Sequence, residues 1–141
     1  MTITGKERII WLASFFDGEG CITFSRRKHI NKKGELKIYR GVQISVAQVD
    51  PEPIKMFYET FGCGYRNHWL NKNNRIQFEW RATGKKAATI LNILLPYLVV
   101  KREQAYLVIE YYALKFRQKK SLVNDYVSRV TQLKHKIYPV N

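Results

Sequence analysis

The chain has 141 residues, with 25 lysine or arginine residues against 11 aspartate or glutamate residues, and a formal net charge of +14. This length fits one folded domain, residues 1–141, and no apolar run reaches the roughly 18 residues of a membrane-spanning helix. The N-terminus lacks the layout of a secretory signal, so we expect an intracellular protein without a membrane partner. The charge favours nucleic acid as the partner, ahead of an anionic membrane.

The first predicted element is a helix from about Gly5 to Asp17. Thr4 and Glu7 have the spacing of a capping box at its start. Its packing face consists of four residues at helical spacing, namely Ile9, Leu12, Ala13 and Phe16.

That helix ends in Asp17-Gly18-Glu19-Gly20, which places two acids at the negative pole of the helix dipole. Unpaired terminal carbonyls and a carboxylate are hard oxygen ligands that suit Mg²⁺. A glycine-capped helix whose acids are merely solvated would have the same four residues. The segment alone therefore leaves both interpretations open.

Residues 21–30 and 36–48 change to an alternating pattern and predict two long strands joined by a turn at 31–35. Val42, Ile44 and Val46 form one face of the second strand. The opposite face carries Arg, Gln, Ser and Thr with almost no acids, and these side chains read base edges and phosphates. A solvated antiparallel sheet shows the same alternation.

Asp50 and Pro51 begin a short helix that ends at Gly62. A second hairpin is predicted at 64–70 and 75–82. The core row of its second strand is predicted to be Ile76, Phe78 and Trp80. In strand 64–70 either the even or the odd residues could face outward, and the pattern does not decide.

Further helices are predicted at 85–95, where Pro96 ends the helix, at about 102–119, and after a cap at Ser121. The resulting order is α-β-β-α-β-β-α-α(-α). We therefore predict an α+β fold with one four-stranded antiparallel sheet.

Residues 12–20, LASFFDGEG, resemble the nine-residue signature of the LAGLIDADG homing endonucleases, with Ser14 at the usual glycine and Glu19 at the second acid. The element order resembles that family over nearly the whole chain. The resemblance implies a saddle-shaped sheet in the DNA major groove. It also implies a homodimer, because the chain has a single signature.

The implied function is a sequence-specific, divalent-metal-dependent homing endonuclease that hydrolyses both strands of double-stranded DNA at a long pseudo-palindromic site. A ten-residue strand spans about 33 Å. This is close to one turn of DNA, so a dimer would read roughly 20 base pairs.

The resemblance also implies roles for single residues. Glu19 matches the metal-binding acid and the Gly18 carbonyl a companion ligand for Mg²⁺, Mn²⁺ or Ca²⁺. Gln48 matches a polar residue near the active-site water. Lys101 matches a basic residue that supports the developing charge, although without the resemblance it would be read as a surface lysine. Related enzymes carry a basic residue where this chain has Glu52, and Lys55 or Arg102 are the alternatives for that charge.

The remaining predicted site residues fall into two groups. The dimer contact is predicted at Leu12, Ala13 and Phe16. The DNA contacts are predicted at Thr23, Ser25, Arg27, His29, Tyr39, Gly41, Gln43, Ser45, Asn67, Trp69, Arg75, Gln77 and Arg81.

Two other functions use the same basic surface. One is an RNA-binding maturase with intron RNA as its partner, which nothing in the sequence excludes. The other is a DNA-binding regulator without nuclease activity. Glu19 argues against the regulator, because such a protein has no use for an acid that points at phosphate.

Overall fold

The computed structural model describes residues 5–113 and 128–133 of the chain. The elements are α1 (Gly5–Glu19), β1 (Gly20–Ile30), β2 (Leu36–Gln48), α2 (Pro51–Phe61), β3 (Tyr65–Leu70), β4 (Ile76–Thr83), α3 (Gly84–Leu94), a 3₁₀ turn (Leu95–Tyr97) and α4 (Arg102–Ala113). Residues 128–133 are helical.

This order confirms the predicted α+β fold. The cap at Thr4, the predicted continuation of α4 to residue 119 and the cap at Ser121 lie outside the described residues. Within residues 5–113 and 128–133, no helix has the length and apolar character needed to cross a membrane.

The two hairpins lie side by side in one antiparallel sheet with the strand order β1-β2-β4-β3. The β1–β2 register runs from Gly20 opposite Val46 to Ile30 opposite Leu36. Strand β4 pairs only with residues 43–48 of β2. The end of the sheet where β1 begins is therefore four strands wide, and the end at the first turn is a two-stranded ribbon.

The core lies on one face of the sheet. Ile22, Val42, Ile44 and Val46 share one parity along β1 and β2, and none of them exceeds 1% exposure. Trp80 continues this face onto β4, where its ring stacks on Phe57 of α2 with ring centroids 5.0 Å apart. The opposite face, which we call the outer face, carries the residues of the other parity, and those that are described are half-buried or exposed.

A tyrosine of α4 accepts a hydrogen bond from a β2 amide just beyond the point where the pairing of β2 with β4 ends. Gln43 is the first β2 residue paired with β4, and the amide of Val42, one residue earlier, donates to the hydroxyl of Tyr112 at 3.0 Å. Burial raises the pKa of Tyr112 more than this hydrogen bond lowers it, so the hydroxyl stays protonated near neutral pH. Helix α4 thus takes the place of a neighbouring strand at this point.

The predicted core row of β4 was wrong at one end. Ile76 is 49% exposed, and its β3 partner Leu70 is 65% exposed. Both residues have core parity but lie at the turn end of the second hairpin, where the sheet extends past the packed helices. Alternation fixes which face a residue is on, and helix coverage decides whether it is buried.

The register of β3 settles the parity that the sequence left open. Asn67 pairs with Glu79 and Trp69 with Gln77, so they share the outer face, because directly opposed residues point the same way. His68 pairs with Phe78 on the core side, where the two ring centroids lie 6.3 Å apart.

The two hairpins close with the same turn, which begins at Asn31 in one and at Asn71 in the other. Each asparagine carboxamide oxygen accepts from the backbone amides two and four residues later, at 3.0 and 2.9 Å in the first turn and 2.9 and 3.0 Å in the second. The fourth residue, Gly34 or Asn74, has a positive φ of 78° or 62°. The turns fix the strand register and hence which residues reach the outer face.

We predict that Asn71→Ala destabilises the protein by about 1–2 kcal/mol, because two turn amides lose their acceptor. Asn73→Ala is the matched control, since it removes the same side chain at an exposed position of the same turn. Chemical denaturation measures the free energy of unfolding of both variants. Equal stabilities of the two variants would contradict the role given to Asn71.

Candidate active site and nucleic-acid interface

The C-terminal end of α1 is held by the carboxylate of Asp17. Oδ2 accepts from the amides of Val99 and Val100, both at 2.9 Å, and Oδ1 accepts from the amide of Lys101 at 2.8 Å. These three bonds join the segment before α4 to the end of α1. Asp17 thus shapes the end of α1 through hydrogen bonds within its own chain.

Two opposing effects act on the pKa of Asp17. Burial raises it, while the three backbone hydrogen bonds and the charge of Lys101 lower it. The lowering effects win, and the pKa falls below the usual value of 3.8. Asp17 is therefore ionised throughout the neutral range.

The side chain of Lys101 returns to the same helix end. Its ammonium Nζ donates to the backbone carbonyl oxygen of Asp17 at 2.7 Å. Helix-terminal carbonyls carry partial negative charge, so this contact is electrostatically favourable. The half-buried ammonium is thereby held at the carbonyl two residues before Glu19.

Glu19 is the last residue of α1 and is exposed. Its carboxylate forms no hydrogen bond or ion pair with any residue that the structure describes. Gly18 is exposed, and a Cβ there would meet nothing within 4 Å, whereas a Cβ at Gly20 would collide with Phe16. The packing of Phe16 thus requires glycine at position 20, while the surface at Gly18 is open.

An exposed carboxylate beside helix-terminal carbonyls fits a hard divalent cation in donor chemistry. Within residues 5–113 and 128–133, however, no three His, Cys, Asp or Glu residues gather around one point. Among the described residues, the oxygen donors at the end of α1 are therefore the Glu19 carboxylate and the helix-terminal carbonyls.

Gln48 lies at the same end of the sheet. It is two residues beyond Val46, the partner of Gly20, and shares the core-side parity of Val46. Its Oε1 accepts from the amide of Val49 at 2.9 Å, which leaves the Nε2 hydrogens as donors. No direct hydrogen bond joins Gln48 to Glu19 or Lys101.

Glu52 lies in the first turn of α2, where its amide donates to the capping carboxylate of Asp50 at 3.0 Å. Of the two alternatives for the expected basic residue, Arg102 directly follows Lys101. Lys55 instead lines a cavity of about 350 Å³ together with His68 and Phe78. Arg102 lines a different cavity, of about 760 Å³, together with Tyr106 and Leu133, and the role of the expected basic residue stays a prediction for both.

The outer face brings together most of the predicted contact residues. Cross-strand pairing forms a row of Thr23, Gln43 and Thr83, and a row of Cys21, Ser45 and Arg81. Asn67 and Trp69 continue this face on β3, opposite Glu79 and Gln77. His29 and Arg75 are exposed near the turns. For three predicted residues only the backbone register is described, and it pairs Ser25 with Gly41 and Arg27 with Tyr39.

The prediction did not include several residues at this surface. The hairpin turns carry three exposed lysines, Lys32, Lys33 and Lys72. Their location in polar turn segments was the sequence feature that could have indicated them as contact residues. Glu79 lies on the outer face and forms an ion pair with Arg81, Oε1 to Nη2, at 2.8 Å. Alternation placed Glu79 outside but gave no sign of this pairing.

The residues predicted for the dimer contact require revision. Leu12, Ala13 and Phe16 are 0% exposed and belong to the core of their own chain. The exposed side of α1 instead carries Ile10 and Trp11, each 38% exposed, followed by Ser14 and Gly18. Steps of three and four residues place these on one stripe, which we call the α1 stripe.

Comparison with sequence families gives a match to the LAGLIDADG endonuclease family over residues 12–113, which is more than half of the chain. No curated protein matches the chain.

Two similar solved structures are homing endonucleases bound to DNA. The first is I-CvuI in complex with the I-CreI target in the presence of Mg, with the DNA not cleaved; it is 24% identical, with a TM-score of 0.71, covering 96% of this chain and 87% of that chain. The archaeal intron-encoded I-Vdi141I is 16% identical, with a TM-score of 0.68, covering 98% and 91%. At these identities the likeness establishes the shared fold.

We predict that Asp17→Ala lowers the free energy of unfolding at pH 7 by about 1–3 kcal/mol, because three amides lose their acceptor. Since the folded pKa lies below the usual 3.8, this stabilisation is complete above pH 3.8 and is lost as the pH falls through the folded pKa. Urea denaturation measures the free energy of unfolding of the variant and of the unmodified protein, and the difference between them should be smaller at pH 3 than at pH 7. A gap of the same size at both pH values would contradict this assignment.

Proposed function

Because the chain belongs to the LAGLIDADG endonuclease family, we propose that it is a site-specific DNA endonuclease that acts as a homodimer and requires a divalent metal ion. The observation that carries the proposal is the α1 end, where the carboxylate of Glu19, which has no partner among the described residues, lies two residues beyond a carbonyl that binds the Lys101 ammonium. This end adjoins a sheet whose four strands contain a single acid.

The outer face is the proposed DNA-binding surface. It combines Gln, Ser, Thr, Asn and Arg side chains, which can bond both base edges and phosphates. The 11 residues of β1 span about 36 Å, roughly one turn of DNA. The DNA complexes of I-CvuI and I-Vdi141I support this assignment by analogy.

The proposed chemistry is hydrolysis of a phosphodiester bond at the α1 end. Glu19 and the carbonyl of Gly18 are the ligands offered to a divalent cation, which when bound supplies Lewis-acid stabilisation of the attacked phosphate and lowers the pKa of a bound water. I-CvuI was crystallised with its target in the presence of Ca and with the I-CreI target in the presence of Mg, which is consistent with such an ion.

Two further side chains support the reaction in this proposal. Lys101 offers a positive charge to the developing negative charge on the phosphate, and its anchoring to the Asp17 carbonyl limits its freedom. The amide nitrogen of Gln48 is a donor that can orient a water at the same end of the sheet. Neither group needs to become a nucleophile.

A homodimer follows from the number of carboxylates. Cutting both strands of a duplex needs two sites, and each chain offers one Glu19. We propose that the α1 stripe contacts the α1 stripe of a second copy, since Ser14 and Gly18 are small enough to let two helices approach closely. The two-fold symmetry would then match a pseudo-palindromic DNA site.

We predict that Glu19→Gln reduces cleavage by about 100-fold or more while DNA affinity changes little, because the metal ligand is lost and the outer face is untouched. Glu59→Gln is the matched control, since it makes the same change at an exposed position of α2. Cleavage of a cognate duplex with Mg²⁺, together with its binding in a gel-shift assay, measures both quantities. Cleavage retained by the Glu19 variant would rule out the proposed role.

We predict that Ser14→Arg raises the dimer dissociation constant by about tenfold or more, because a large charged side chain would separate the two helices. Asn92→Arg places the same side chain at an exposed position of α3 and should leave association unchanged. Sedimentation velocity over a range of protein concentrations measures the difference. If the two variants associate equally, the α1 stripe is not the dimer contact.

A further inference from the structure

Glu79 is the only carboxylate in the four strands of the sheet. It lies on the outer face, because its partners there are Ala47 on β2 and Asn67 on β3. A carboxylate facing a polyanion is repelled by phosphate, and the rest of this +14 chain avoids that cost on its strands. We therefore look for a favourable interaction of Glu79 that outweighs this electrostatic repulsion.

The carboxylate of Glu79 is engaged by a neighbour on the same strand. Its Oε1 lies 2.8 Å from Nη2 of Arg81, and the exposed fractions of the two side chains are 13% and 33%. Partial burial screens such a pair less than an open surface would. The pair therefore holds the guanidinium of Arg81 in a defined orientation on the outer face.

Base-pair chemistry suits this combination of charges. Arginine donates to O6 and N7 of guanine, whereas a carboxylate can only accept, and cytosine presents its N4 amino group for that purpose. A G·C pair offers both groupings together on its major-groove edge. An A·T pair offers no acceptor pair equivalent to O6 and N7 of guanine.

We propose that Glu79 and Arg81 act as one unit that selects a G·C base pair in each half-site, an inference that rests on the proposed DNA-binding function. Arg81 contacts guanine. Glu79 is a positioning residue that fixes the guanidinium and accepts from the amino group of the paired cytosine with its second oxygen.

The register also locates the selected base pair. Arg81 lies in the row of Ser45 and Cys21, one residue from Gly20, and Glu79 pairs with Ala47 beside Gln48. The unit is thus at the end of the sheet that carries Glu19, with β4 about 10 Å from β1 across the strands. The selected pair should lie in the half of each half-site nearer the cut.

Selection from a randomised duplex DNA library tests the proposal, with Ca²⁺ present and bound DNA sequenced. The unmodified dimer should prefer G·C at one position of each half-site by about tenfold. Glu79→Gln and Arg81→Ala should each lose the preference at that same position and keep the others. Glu59→Gln, an equal loss of charge on α2, should match the unmodified protein.

If the ion pair of Glu79 and Arg81 only reduced the net charge of the outer face, the selection would give a different result. Glu79→Gln would then bind all sequences more tightly with its preferences unchanged, and this outcome would overturn the proposal. Changes at different positions in the two variants would overturn it as well. If the unmodified protein enriches no sequence at all, the proposed site-specific function itself fails.

Discussion

The arrangement of the candidate site depends on one carboxylate that takes no part in the proposed chemistry. Asp17 accepts three consecutive backbone amides, from Val99 to Lys101, and so fixes α4 to the end of α1. The ammonium of Lys101 donates to the carbonyl oxygen of Asp17, so the same two residues are joined by two hydrogen bonds. This junction links Lys101 directly to the helix end that carries Glu19.

The same junction explains how two acids can coexist at a negative helix pole. Asp17 is compensated by three amide dipoles and a nearby ammonium, so its charge is largely neutralised within the chain. Glu19, two residues later, has no such partner among the described residues and keeps its charge available. The two acids therefore have separate uses, one internal and one directed outward.

Much of the fold could be predicted from the sequence because the signals were local. The bounds of β2 and the caps of α2 at Asp50 and Gly62 follow from alternation and cap chemistry over a few residues. The burial of Leu12, Ala13 and Phe16 was predicted as a packing face, yet the same residues were also assigned to the dimer contact. A helix has several faces, and only the tertiary packing shows which face is left for a partner.

The contents of the site were less predictable than the fold. Gln48 reaches the end of the sheet that adjoins Glu19 through strand pairing of Gly20 with Val46, and Lys101 reaches the end of α1 through its contacts with Asp17. Both depend on residues far apart in the chain, and the sequence pattern does not predict which distant residues come together. The exposure of Ile76 depends on how far the helices cover the sheet, and the ion pair of Glu79 with Arg81 depends on the side-chain conformations of two residues on one strand. The periodicity of a sequence predicts which face of a strand or helix a residue lies on. It does not predict which residues that side chain contacts there.

The shared asparagine turn has a consequence for how such a protein could change its target. Each turn is closed by its own amide bonds and does not rely on the core, so residue pairs could be inserted beside it without repacking the helices. One inserted pair lengthens a hairpin by about 3.3 Å, close to the rise of one base pair. Because outward-facing residues recur at every second position, two inserted pairs add one row to the outer face. The proposed DNA-binding surface can therefore lengthen or shorten in steps of about two base pairs while the end that carries Glu19 stays unaltered.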